Sequence, residues 1–154
     1  MNDSVDQDSK ADVVEPGAQP DHLHVVVVIS DFDAPARRAL RFAEAYRPRS
    51  LVVLNVCTGA NRTAALIEAW ASRRIDVPLT CAQPMAEDPD PVVTYVDRRR
   101  RKDPAAVVMV VLPIVAVARW WQRPLHRLED PTLPRRLSSL DRVLIAEVPW
   151  QIRP

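Results

Sequence analysis

Residues 24–30 read His-Val-Val-Val-Val-Ile-Ser, an apolar run with no polar alternation. A strand with one face in water alternates apolar and polar side chains, so an unbroken β-branched run fits a strand covered on both faces. The run is not alone. Leu51 to Cys57, Leu79 to Gln83, Ala106 to Leu112 and Arg142 to Val148 repeat it, and the stretches between them carry helical spacing. Asp33 is placed to cap a helix whose first turn tolerates Pro35. Along it Ala36, Ala39, Leu40, Ala43 and Tyr46 form one apolar stripe, with Arg37, Arg38, Arg41 and Glu44 off it. Pro48 stops that helix. A second helix starts at Thr58 or Asn61 and aligns Thr63, Leu66, Ile67, Trp70, Ala71 and Arg74. A third starts at Pro91, with Val92, Tyr95, Val96 and Arg99 on one side, and a helix or pair of turns precedes Arg142. Five buried strands alternating with helices predict an α/β fold, a doubly wound five-stranded parallel sheet in a Rossmann-like three-layer α/β/α arrangement.

In such sheets ligands bind outside the carboxyl ends of the strands, where the strand order reverses. That rule selects Ser30 and Asp31, Asn55 and Val56, and Leu112 and Pro113 as candidate ligand-binding residues. Arg119, Trp120, Trp121 and His126 join them, because Arg and aromatic rings supply phosphate contacts and base stacking. Their plainer reading, which we prefer, makes the tryptophans plugs for a core edge or a dimer face and His126 a turn cap. Asp31 and Asp33 form a carboxylate pair, but Asp33 is explained as a cap and no nucleophile completes an acid–base site. Three scattered histidines with Asp-x-Asp are too few for a metal centre. No catalytic constellation is visible, so a non-enzymatic protein is expected.

The charge is uneven. Residues 1–22 hold six acids and one base, about −5, and subtracting them from totals of 20 acids and 21 bases leaves 14 acids and 20 bases, about +6, on 23–154. Residues 1–22 are expected to be a disordered acidic leader that serves solubility, or else a fuzzy contact with the basic body. Residues 23–152 are expected to form the α/β domain. The run Arg98 to Lys102 is read as the charged end of the third helix, where cations complement the macrodipole, in preference to a phosphate or membrane contact. No nucleic-acid role is expected, since no interleaved aromatics accompany the run. Cys57 and Cys81 are read as buried free thiols of a reducing compartment. The longest apolar run, 105–118, contains Pro113 and is too short to span a bilayer. With no secretory signal in view, a cytoplasmic location is expected.

Several pieces resemble the universal stress protein domain. They are Val28-Ile29-Ser30 with the helix Arg38 to Ala43, and Leu51 to Val56, which ends in Asn55-Val56 where the family has His-Val. The others are Val110 to Pro113, Arg119-Trp120-Trp121, Leu125-His126, and Val143 to Trp150. More narrowly, the order of the Leu-Pro, Arg-Trp-Trp and Leu-His pieces is similar to the cytosolic C-terminal domain of bacterial permeases of the amino acid–polyamine–organocation superfamily. The resemblance spans roughly residues 23–152. It implies the universal stress protein (adenine nucleotide alpha hydrolase-like) fold, a homodimer, and a sensor of nucleotides or regulator of a membrane transporter. Some members bind ATP through a Gly-x-x-Gly-x(9)-Gly-Ser/Thr loop, and some transporter-attached members bind cyclic di-AMP. This chain has only Gly17 and Gly59, so cyclic di-AMP rather than ATP is the ligand the resemblance implies, with the transporter contacted in trans. The alternative is a ligand-free dimerisation or docking module. Pro131 and Pro134 interrupt what is a regular Leu-rich helix in the permease-type domains, and two short pieces are expected there.

Overall fold

The computed structural model describes residues 20–56, 59–116 and 131–151. The order of elements is β1 (His22–Ile29), α1 (Ala34–Ala45), β2 (Ser50–Val56), α2 (Ala60–Ser72), β3 (Leu79–Ala82), α3 (Pro91–Lys102), β4 (Ala106–Ala116), α4 (Leu133–Ser138) and β5 (Val143–Gln151). The strands form one parallel sheet in the order β3-β2-β1-β4-β5. The chain therefore winds outward in one direction from β1 and then, through α3, in the other. The doubly wound architecture expected from the alternating runs is the one observed.

Both faces of the sheet are covered, which is why its strands are apolar at successive positions. Val25, Val27, Ile29 and Val53 pack with Ala36, Ala39, Leu40 and Ala43 of α1 and with Leu66 and Trp70 of α2. Val26, Val28, Val52, Leu54, Val108, Val110 and Leu112 face the other way, against Val92 and Val96 of α3 and Leu133 and Leu137 of α4. Each fully buried aliphatic side chain contributes about 1.5–3 kcal/mol of transfer free energy.

The helix starts follow their capping residues. Asp33 Oδ1 accepts from the Ala36 amide at 2.9 Å, and Pro35 sits in the first turn of α1. Asp90 caps α3 in the same way, with Pro91 at its first position. Pro134 opens α4 rather than breaking it. The segment before residue 131, where the other short piece was expected, lies outside the described residues, as do the leader up to residue 19 and Cys57.

Four expectations need correction. Tyr46 is 52% exposed because the helix is already ending there, with Tyr46 as its C-cap. Ile67 is 50% exposed, since α2 buries only Leu66 and Trp70. Trp70 is fixed on that face by a hydrogen bond to the Val77 carbonyl at 2.9 Å and an edge contact with Phe32. Cys81 is exposed, because β3 is a four-residue edge strand. Lastly, β4 does not stop at Leu112 but runs to Ala116. A proline in an interior strand removes a ladder donor, yet the β1–β4 pairing is already over at Val27↔Val111, so Pro113 has no β1 partner to serve.

With few glycines to use, the chain closes three turns among the described residues with arginine. Arg47, Arg74 and Arg142 all have positive φ, at 46°, 49° and 57°. Arg47 and Arg74 directly follow the C-caps of α1 and α2, where glycine is the usual residue.

Candidate functional site

The strands end at different heights, and the difference opens a crevice. The last β1–β4 pair is Val27↔Val111, whereas β4 and β5 stay paired to Ala116↔Gln151. On its other side β1 pairs with β2 as far as Ile29↔Asn55. The opening thus falls between β1 and β4, where the strand order reverses and ligands gather in sheets of this kind.

Asn55 fixes one wall. Its side chain is 1% exposed, and Nδ2 donates to the carbonyl oxygens of Ile29 at 3.1 Å and Ser30 at 2.9 Å. These are backbone acceptors at a strand end, and a buried one left unbonded costs about 1–3 kcal/mol. Asn55 therefore supports the site from below rather than reaching into it.

Strand alternation puts Val28, Ser30 and Val56 on the α3/α4 face. There, over β1 and β2 and beside the β1–β4 opening rather than in it, they line a cavity of about 200 Å³ together with Pro89, Asp90 and Arg136. The loop after β3 stiffens its side: Met85 and Asp88 exchange backbone hydrogen bonds at 2.9 and 3.1 Å, and Thr94 Oγ1 donates to Asp88 at 2.8 Å. At the rim Arg136 Nη1 meets Asp90 Oδ2 at 3.0 Å. Asp90 Oδ1 also accepts from the Val93 amide at 3.4 Å, so the positive end of α3 already has a carboxylate on it. Drug-sized sites run about 300–1,000 Å³, so this cavity takes only a small fragment of a ligand.

The remaining residues selected from the sequence divide. Asp31 stands outside the cavity in an exposed ion pair with Arg62 at 2.6 Å, of a type that contributes about 0–1 kcal/mol. Leu112 is fully buried in the core against α3 and α4, so its side chain offers a ligand nothing. Pro113 lies in the part of β4 that outruns β1 and is paired with Val148 of β5. Arg119, Trp120, Trp121 and His126 lie outside the described residues.

Two features escaped the sequence reading. On the α1 face a groove of about 820 Å³ is lined by Arg37, Arg38, Arg41, Phe42, Glu147 and Trp150, among others. The arginines lie off the apolar stripe of α1, and only the approach of the end of β5 makes them a wall. At the amino end of the sheet His22 and His24 converge on Asp103. Two of the three histidines are thus gathered rather than scattered. The signal was present: His-x-His on a strand puts both rings on one face. The hydrogen bond from His24 holds the Asp103 carboxyl below its ordinary pKa of 3.8, against the opposing effect of burial, and His22 adds to the lowering. The basic run at the end of α3 is engaged locally: Arg100 and Arg101 pair with Asp97, and Arg100 also with Asp141.

Residues 20–150 match the family described as the KimA potassium transporter C-terminal domain. The match runs from just before β1 to the penultimate residue of β5. No curated protein matches the sequence. Among the described residues no helix is long and apolar enough to cross a membrane.

Proposed function

We propose a function from a premise that is shown: the chain belongs to the family of KimA potassium transporter C-terminal domains. In this reading it is a regulatory, non-catalytic domain of universal stress protein type that acts on a potassium transporter from the cytoplasmic side. Its signal is a nucleotide second messenger, and cyclic di-AMP is the ligand we favour.

The observation that carries the reading is the small cavity over the carboxyl ends of β1 and β2, between Ser30, Val56 and Asp90. Val28, Val56, Val92 and the prolines offer flat apolar contact to a purine, and Ser30 and Asp90 offer hydrogen bonds to its edge. The Arg136 guanidinium at the rim, now held by Asp90, is a partner for a phosphodiester. One adenine of cyclic di-AMP fills the cavity, and the other lies beyond the rim, where a second copy of the chain would meet it. A triphosphate is disfavoured because Asp90 occupies the start of α3 and no glycine follows Gly59. Ligand binding would then shift the population of domain arrangements that the transporter reads.

A second reading is a ligand-free docking module working as a homodimer. It is favoured by the pairing of Asp90 with Arg136, which satisfies the rim without a ligand, and by the Arg-lined groove against Trp150.

A thermal-shift comparison of cyclic di-AMP, cyclic AMP, ATP and AMP separates the two. A ligand specific to the folded state adds about 2.7 kcal/mol at a hundredfold excess over its Kd. We expect a rise with cyclic di-AMP that Val56→Phe, which fills the cavity, abolishes. No shift with any nucleotide leaves the docking module as the function.

A further inference from the structure

The geometry points to a binding site for a zinc-class divalent cation at the amino end of the sheet, formed by His22, His24 and Asp103. This site is separate from the crevice, at the opposite ends of the strands, and does not rest on the function proposed above.

Three donor atoms already converge. His22 Nε2 lies 2.9 Å and His24 Nε2 2.8 Å from the same carboxylate oxygen, Asp103 Oδ2. The donor atoms of the three residues all fall within 4.8 Å of one another. The two rings stand nearly perpendicular, at 77° with centroids 5.9 Å apart, so they approach that oxygen from different directions. In the metal-free cluster each Nε2 faces the carboxylate through its N–H, and two protons crowd one oxygen. One cation replaces both. With bonds of about 2.0–2.1 Å in tetrahedral geometry all donor pairs settle at about 3.3 Å, so each nitrogen moves slightly away from Oδ2 and the two nitrogens, now within 4.8 Å of each other, adjust to the same spacing. Each neutral ring keeps its single proton, transferred from Nε2 to Nδ1, so the exchange balances without an added acid or base.

The ligands stand on rigid elements. His22 and His24 are alternate residues of the central strand β1, and Asp103 is the C-cap of α3. The Asp21 amide bonds to the Ala105 carbonyl at 2.9 Å, and the Ala106 amide to the Asp103 carbonyl at 3.2 Å, which holds the loop against the strand. His24 Nδ1 is 2.6 Å from Ser50 Oγ, and Ser50 is held in turn by Arg99. Metal-bound histidines have this support on the second ring nitrogen, which fixes ring orientation and tautomer. Two imidazoles and a carboxylate are the donor set of a borderline divalent ion, as opposed to magnesium or calcium, which take oxygen ligands. Side-chain exposures of 9% for His24, 19% for His22 and 28% for Asp103 leave the site open on one side to a water ligand and to entry of the ion.

The test is titration of the untagged full chain with Zn²⁺ by calorimetry and thermal melting, and with Co²⁺ by visible absorption. Expected are one equivalent of Zn²⁺, a raised Tm, and the d–d bands of a low-coordinate cobalt ion with no thiolate charge-transfer band. His22→Gln alters the more exposed of the two rings, and it should weaken Zn²⁺ binding by at least tenfold in protein whose metal-free melt shows it folded. Asp103→Asn should weaken binding further even if it also lowers stability. Absence of a one-equivalent site, a thiolate band that assigns the metal to cysteine, or Zn²⁺ affinity unchanged in His22→Gln would each overturn the proposal.

Discussion

The Asn55 side-chain amide donates to the Ser30 carbonyl oxygen at 2.9 Å, tying the residue after β1 to the neighbouring strand. A second bond from the same nitrogen reaches the Ile29 carbonyl. Asn55→Ala leaves both acceptors without this donor, and we expect a loss of about 1–3 kcal/mol in urea unfolding. Asn55→Asp should cost more than Asn55→Ala, since a carboxylate can only accept and would face two carbonyl oxygens. A smaller loss for aspartate would show that the amide is not donating to them.

Asp90 has two roles that substitution can separate. It caps α3 and pairs with Arg136. Asparagine caps as well as aspartate does, so Asp90→Asn should keep the cap and lose only the ion pair, within about 1 kcal/mol of the parent. Asp90→Ala should fall below Asp90→Asn by about 0.5–2 kcal/mol in chemical denaturation.

Arg47 occupies a left-handed position with φ 46° and is exposed. That conformation costs an L-residue about 1–2 kcal/mol, and glycine returns part of the gain through the freer unfolded chain. Arg47→Gly should therefore raise stability by up to about 1 kcal/mol. Arg142→Gly relieves similar strain but removes guanidinium contacts to the Pro104 carbonyl and Asp141. Its Tm should fall short of that of Arg47→Gly.

The pKa of Asp103 is lower in the folded protein than its ordinary 3.8. Its contribution to stability is therefore fully present above pH 3.8 and is lost as the pH falls through the folded value. In chelated buffer, the parent should lose stability relative to Asp103→Asn on acidification below about pH 4. Parallel stability curves for the two proteins through that window would contradict the assigned direction.

The sheet was legible because burial on both faces leaves a simple mark, the unbroken runs from His24 to Ile29 and from Ala106 to Leu112. The helix faces were legible only in part. Tyr46 and Ile67 satisfy the apolar period, yet one terminates its helix and the other lies on the exposed side of α2, which buries just two side chains. At the site, Ser30 and Val56 follow from the strand-end rule. Asp90 and Arg136 do not, because α3 and α4 bring them to the rim from far along the chain. The same holds for His24 and Asp103, which are 79 residues apart and meet only through the crossover between β3 and β4. Arg37, Arg38 and Arg41 read as solvated charge because no local pattern reveals that β5 will end beside them.

The central strand is fastened by side chains at both ends, by His22 and His24 to Asp103 and by Asn55 to Ile29 and Ser30. Strands ordinarily fray from their tips, and local opening there requires less free energy than global unfolding. With both tips pinned, β1 has no easy end from which to peel. Its terminal amides should exchange with solvent deuterium nearly as slowly as those of Val26 and Val27. A disturbance at one end then has to displace the strand as a whole, which makes β1 a stiff rod through the middle of the domain.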